Sequence, residues 1–317
     1  MTGFGSTNQP VLSPRNLSRT MSVPSDDPLS KLRMAPAESA ADLALKFNRE
    51  KRAVQLQMEI RLAESQQTFR IGSVPYLNAV PLTRGIEENM IIAPPSQLAR
   101  MLEADKLDAA LVSVVEVLLK DRYDVLSGVG VASLGEVKSV FLAHRCPLEE
   151  IQTVHCDPAS LTSVCLLKVL LAERGLAPCF EPLVNEVRES MPDAVLLIGD
   201  PAITFLMEQQ THQIWDLGAV WFEMTRLPFV YAVWALKRGI ENDELKRQLK
   251  EARDLGVETL DQIIQSRSEF DPGFRQDYLG WHIHYHLGTD EQRGIATFMD
   301  LLAKHGLGPV FQPRWVS

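Results

Sequence analysis

The side chains able to do chemistry stand at the ends of short apolar runs. Arg70-Ile71-Gly72-Ser73-Val74 reads as a strand that enters the turn Pro75-Tyr76-Leu77-Asn78-Ala79-Val80-Pro81-Leu82. An open α/β sheet binds ligands at the carboxyl ends of its strands, so Asn78 is well placed to line a pocket. Its amide offers one acceptor and two donors without charge. The plain alternative is a turn asparagine that bonds its own backbone. Further along, Ser160-Leu161-Thr162-Ser163 opens the strongly helical run from Val164 to Arg174. The first turn of a helix has free N–H donors and the positive end of the dipole, so three hydroxyls there form a cradle for a carboxylate or phosphate. Capping alone accounts for one hydroxyl.

Other candidates carry less chemistry. Ser96 is a natural N-cap before Gln97 to Glu103, Ser113 leaves the buried strand Lys106 to Val112, and Ser139 opens the strand Lys138 to His144. Gly199 would let backbone approach a ligand closely. Glu116 suits a helix N-terminus, and Asp200 followed by Pro201 suits an N-cap with proline at the first helical position. Both acids are therefore assigned structural roles. Lys138 and Arg226 are candidate countercharges for an anion, against solvated or ion-paired surface roles. His282, His284 and His286 could gather on a metal only along a strand, and the surrounding pattern is helical, so no metal site is assigned.

The elements that position these residues read as strand, helix, strand: Arg70 to Val74, then Gln97 to Glu103, then Lys106 to Val112, the unit of a parallel sheet. Asp193 to Ala202 contains the clearest buried parallel strand. Phe229 to Leu236 is the longest apolar run, well short of the roughly 20 residues of a membrane span. The tail from Glu241 to Leu307 reads as amphipathic helices. With 317 residues, 45% of them hydrophobic, the chain can bury two lobes. A net charge of -9 without clustered Lys and Arg argues against a nucleic-acid binder. Cys146, Cys156, Cys165 and Cys179 match no metal or redox spacing and read as small buried hydrophobes in a reducing compartment. Residues 1–25 form a Ser- and Pro-rich, acid-poor tail expected to be disordered. The pattern from 37 to about 66 is helical, either packed on the domain or lying upstream of a start near Met58.

Taken together, seven ordered motifs resemble the chorismate dehydratase family of the futalosine route to menaquinone. They are Ile71 to Leu82, Pro95 to Ala99, Asp108 to Glu116, Val137 to Val140, Ser160 to Ser163, Leu197 to Ala202, and Asp216-Leu217-Gly218 to Trp221 with Leu227-Pro228-Phe229. A sister family carries Ser-Pro-Cys-Pro-Asn-Asp in place of the Tyr-Leu-Asn of the first turn, which favours the dehydratase. The resemblance implies a two-lobed α/β fold of the type 2 periplasmic-binding-protein kind with a ligand cleft. Residues 70–146 plus 230–317 would form one lobe and 147–229 the other, with residues 1–69 as an extension.

It further implies loss of water from chorismate, a dianion, to give 3-[(1-carboxyvinyl)oxy]benzoate, driven by aromatisation and needing no cofactor. Asn78 would orient the leaving hydroxyl or a neighbouring carboxylate. Ser160, Thr162 and Ser163 would grip a carboxylate, with Ser96, Ser113, Ser139 and Gly199 also lining the pocket. No protein base stands out, and a carboxylate of the substrate itself is one candidate to take the ring proton. The rival is a solute-binding protein that captures an anion without chemistry, against which stands the lack of an export signal. A cytoplasmic enzyme, with no membrane or nucleic-acid partner and with homo-oligomerisation left open, is the expectation.

Overall fold

The computed structural model describes residues 39–64, 69–157, 160–183, 191–208, 211–239 and 242–317. The expected disordered tail lies outside them. The chain divides after Glu50 into two units. The described part of the first unit is the start of helix α1 (Ala40–Glu64), where Ser39 and Asp42 cap each other through a 2.6 Å hydroxyl–carboxylate bond. In the second unit the same helix runs on from Lys51, which pairs with Glu258 at 3.3 Å, and it ends with Leu62 buried.

Two mixed sheets form the second unit. The first has the order β11-β4-β10-β3-β1-β2, from β1 (Ile71–Ser73), β2 (Ile91–Ile92), β3 (Ala109–Ser113), β4 (Tyr123–Ser133), β10 (Phe229–Lys237) and β11 (Arg314–Val316). The second has the order β7-β6-β8-β5-β9, from β5 (Val140–His144), β6 (Thr153–Cys156), β7 (Cys179–Pro182), β8 (Ala194–Ile198) and β9 (Gln213–Asp216). β1 lies parallel to β2 and β3, as the strand, helix, strand pattern predicts. β10 runs antiparallel between β3 and β4. Buried aliphatic runs such as Ala109 to Val112 and Ala194 to Leu196 are apolar on both faces because helices cover both sides.

The helices are α2 (Pro95–Glu103), α3 (Val114–Leu119), α4 (Leu161–Ala172), α5 (Gly199–Met207), α6 (Leu217–Thr225), α7 (Asp243–Glu258), α8 (Leu260–Ser266), α9 (Pro272–Asp277) and α10 (Thr289–Lys304). Trp221 of α6, Phe229 of β10 and Phe298 of α10 meet edge to face, with centroids 5.0 to 5.9 Å apart, where the chain returns to the first sheet. No helix among the described residues is long and apolar enough to cross a membrane.

Several local expectations are corrected. β5 was expected in the first lobe, yet it pairs with β8 and β9 in the second sheet, so the chain leaves the first sheet after Ser133. The cap of α2 is Pro94 with Pro95 at its start, which puts Ser96 inside the first turn. Asp200 is likewise inside α5, whose N-cap is Ile198. Cys179 is exposed and Cys146 half-buried, unlike the buried Cys156 and Cys165. The tail is not wholly helical: residues 283–287 are extended and pair with β4, with Ala132 and His284 exchanging both backbone bonds at 2.9 and 2.7 Å.

Candidate functional site

A cavity of about 660 Å³, open mouth included, lies between the two sheets, at the carboxyl ends of β1, β3 and β8 and the amino ends of the antiparallel β5 and β10. Asn78, Ser113, Ser139, Ser160, Thr162, Ser163 and Gly199 all line it, together with Tyr76, Tyr231 and apolar side chains. Among the described residues the phenols of Tyr76 and Tyr231 are the only ionisable groups on its wall. Burial pushes the Tyr231 phenol well above its ordinary range, so it stays neutral.

Several helices begin at this wall. Ser113 precedes α3, Ser160 precedes α4, Gly199 opens α5, and Asn78 sits in the short 3-10 turn Leu77–Leu82 that leaves β1. Positive dipole ends and free N–H groups therefore supply the cationic character that the side chains lack. Ser160 is 3% exposed, and its Oγ has no hydrogen-bond partner among the described residues. It makes no side-chain cap to α4 either. A buried hydroxyl left unpaired at the mouth of a helix is poised to donate to an anion.

Thr162 is tied down differently. Its Oγ1 touches the Ser113 hydroxyl, donates to the Tyr231 carbonyl at 3.2 Å and accepts from the Val115 N–H at 3.4 Å. It thereby joins α4 to β3 and β10 across the back of the cavity. Asn78 donates through Nδ2 to the Tyr278 hydroxyl at 3.1 Å, and Tyr278 donates to Ser139 Oγ at 2.8 Å. One N–H and the Oδ1 of Asn78 remain for a ligand.

Gly199 has φ +62°, and a Cβ there would meet the Tyr76 ring at 2.9 Å, so only glycine fits the close approach of α5 to the first turn. Beside it, Asp200 accepts the Leu77 N–H at 3.1 Å, which bonds the second sheet's α5 to the turn that carries Asn78. Burial raises its carboxyl above the ordinary range, partly countered by that bond. Asp216 caps α6 through the Ala219 N–H at 2.9 Å and also accepts from Val137 and Lys138, at 3.1 and 2.8 Å, so one carboxylate holds both crossings between the sheets.

The remaining candidates lie elsewhere. Ser96 is half-buried and off the cavity wall, although its neighbour Pro95 is on it. Lys138 pairs with Asp277 at 2.7 Å, and exposed Arg226 lies over the Phe222 ring. Glu116, buried, pairs with Lys120 at 2.8 Å one turn along α3. His282 bonds the Glu136 carbonyl at 2.8 Å, and His286 meets Arg253 at 3.3 Å. Sequence reasoning missed Tyr76, Tyr231 and Tyr278. Tyr76 stands within the quoted turn and could have been found there. Tyr278 carries no local signal, being brought in from two hundred residues beyond Asn78.

Two sheets joined by two crossings around an anion-suited cleft define a two-lobed protein of the periplasmic solute-binding fold. The chain superposes on an Archaeoglobus fulgidus crystal structure with TM-score 0.61 at 18% identity, covering 77% of this chain and 100% of that one. The periplasmic aliphatic sulphonate binding protein of Escherichia coli gives TM-score 0.51 at 16% identity, over 78% and 93% of the two chains. Residues 69–304 match the family described as menaquinone biosynthesis, and the chain belongs to that family. It is 34% identical over 272 residues to the chorismate dehydratase of Thermus thermophilus, covering 78% of this chain and 99% of that protein. The chorismate dehydratase of Campylobacter jejuni is 28% identical over 228 residues, 71% of this chain and 89% of the relative.

Proposed function

We propose that this protein is a chorismate dehydratase, a hydro-lyase of the cytoplasm that eliminates water from chorismate to give 3-[(1-carboxyvinyl)oxy]benzoate for menaquinone biosynthesis. The observation that carries the reading is that Asn78 from the first lobe and Ser160, Thr162 and Ser163 from the second wall one cavity. Such a pocket suits a dianion that must be oriented more than activated.

In this mechanism Ser160 and the first N–H groups of α4 take one substrate carboxylate. Asn78, with Ser139 beside it, orients the departing hydroxyl and donates to its oxygen. Among the described residues the wall holds no carboxylate or imidazole base. The carboxylate of the substrate's enolpyruvyl arm therefore takes the ring proton next to the ether oxygen. The C–H electron pair becomes the new ring double bond, the bond from the adjacent ring carbon to its hydroxyl oxygen breaks, and the departing hydroxide takes the proton back from the enolpyruvyl arm, so that water leaves and the carboxylate is restored. A benzene ring remains, and its aromatic stability drives the step.

The test is to mix purified protein with chorismate and follow the loss of diene absorbance and the released product by mass spectrometry. Conversion supports the reading. Binding without conversion assigns the cleft to solute capture instead.

A further inference from the structure

Tyr278 is fully buried and lies outside the cavity wall, yet both of its hydrogen-bond partners, Asn78 and Ser139, are on that wall. It opens a π-helical turn, Tyr278–His282, a rare geometry that is frequent at functional sites. The turn is pinned on both sides of the phenol to the segment that carries Ser139. Asp277 accepts from Lys138 at 2.7 Å, and His282 bonds the Glu136 carbonyl at 2.8 Å. Phe274 stacks on the Tyr278 ring at 5.5 Å and 18°.

The two bonds run in one direction, from the Asn78 amide through the phenol to Ser139 Oγ. Asn78 Nδ2 is fixed as donor, which turns Oδ1 to a defined side of the cavity. Ser139 Oγ, already an acceptor, keeps its own proton for an acceptor in the cavity. Burial pushes the Tyr278 phenol above its ordinary range, so this direction holds across neutral pH. Satisfying a buried hydroxyl is not by itself a sufficient account. The nearby Tyr285 hydroxyl is buried with no partner among the described residues, so this core tolerates a lone phenol.

We infer that Tyr278 is a positioning residue for the dehydration, setting the amide of Asn78 and the hydroxyl of Ser139 in the orientation that the departing hydroxyl needs. This rests on the proposed reaction. Tyr278→Phe keeps the ring and its stacking, and a circular dichroism melt verifies the fold. Its kcat for chorismate should fall about 10- to 100-fold, the scale of a misplaced reacting group, with KM changed by less than about threefold. Tyr285→Phe should keep the wild-type kcat. In an Asn78→Ala background the further loss from Tyr278→Phe should shrink to the part transmitted through Ser139, because the phenol otherwise acts through that amide.

Wild-type kcat in Tyr278→Phe, or an undiminished loss in the Asn78→Ala background, overturns the inference. If wild-type protein leaves chorismate unchanged, the proposed reaction itself fails. The tyrosine is then judged on protein labelled with ¹⁵N in asparagine side chains. The amide pair missing from Asn78→Ala must shift in Tyr278→Phe and stay in Tyr285→Phe. A pair that Tyr278→Phe leaves in place overturns the positioning role.

Discussion

Replacing Ser160 by alanine should move stability and affinity in opposite directions. In the free protein the Ser160 hydroxyl is buried without a partner among the described residues and makes no side-chain cap to α4, so its removal forfeits no bond seen there. An unsatisfied buried polar group costs about 1–3 kcal/mol. Relief at the low end, about 1 kcal/mol, raises Tm by roughly 2–4 °C for a domain of this size. Under the proposed reaction the same hydroxyl donates to a substrate carboxylate, a bond worth about 1.5–3 kcal/mol. Losing it raises KM roughly 10- to 150-fold, at about 1.4 kcal/mol per tenfold. Differential scanning fluorimetry without ligand measures the first effect, and initial rates of chorismate loss measure the second. An ordinary N-cap behaves otherwise, since its loss lowers Tm by the stability equivalent of about 0.5–2 kcal/mol and leaves KM alone. That pair of results would refute the assignment of Ser160 as an anion donor.

Gly199→Ala meets two obstacles, the φ of +62° and the Tyr76 ring at 2.9 Å from the new Cβ. Stability should fall by about 1–2 kcal/mol from the left-handed backbone alone, read from urea denaturation, and kcat/KM should fall as Tyr76 is displaced. Asn78→Asp puts a second acceptor where Nδ2 donates to Tyr278 and adds a negative charge facing a dianion. Turnover should fall at least about 100-fold, and wild-type rates would remove Asn78 from the chemistry. Asp216 gives a pH test. Burial holds its folded carboxyl above the ordinary value of 3.8, against the bonds from Ala219, Lys138 and Val137. A raised folded pKa means that the folded state binds the proton more tightly. The resulting stability is full below the unfolded value and is lost as pH rises from about 3.8 through the folded pKa. Asp216→Asn does not titrate, so the stability of wild type relative to this variant should decline over that window. Parallel curves would refute the raised pKa.

Where the sequence was legible, the information was local. Asn78 and Ser160 stand at the ends of runs whose apolar pattern marks them as strand or helix, and strand ends are where such folds bind ligands. Ser96 and Asp200 show the limit of cap chemistry. A Pro94-Pro95 start displaced one, and the carboxylate of the other bonds the Leu77 N–H, a partner 123 residues away in the chain. The sheet that β5 joins could not be read from its own residues, because Val140 to His144 would be equally apolar in either. The stretch from Ile283 to Leu287 looked helical by its neighbours but is extended by pairing with β4, a tertiary preference that overrides local pattern. Tyr278 was invisible for the same reason: its value lies wholly in two distant partners.

A wall whose described residues include no Asp, Glu, Lys, Arg or His has a bearing on how turnover ends. Under the proposed reaction both reactant and product carry two negative charges, so the dipoles that attract the one attract the other nearly as well. Discrimination must then come from outline: a puckered ring bearing a hydroxyl enters, and a flat ring lacking it leaves. Accumulated product should accordingly compete for the cleft, and its escape, rather than bond breaking, becomes the natural brake on flux.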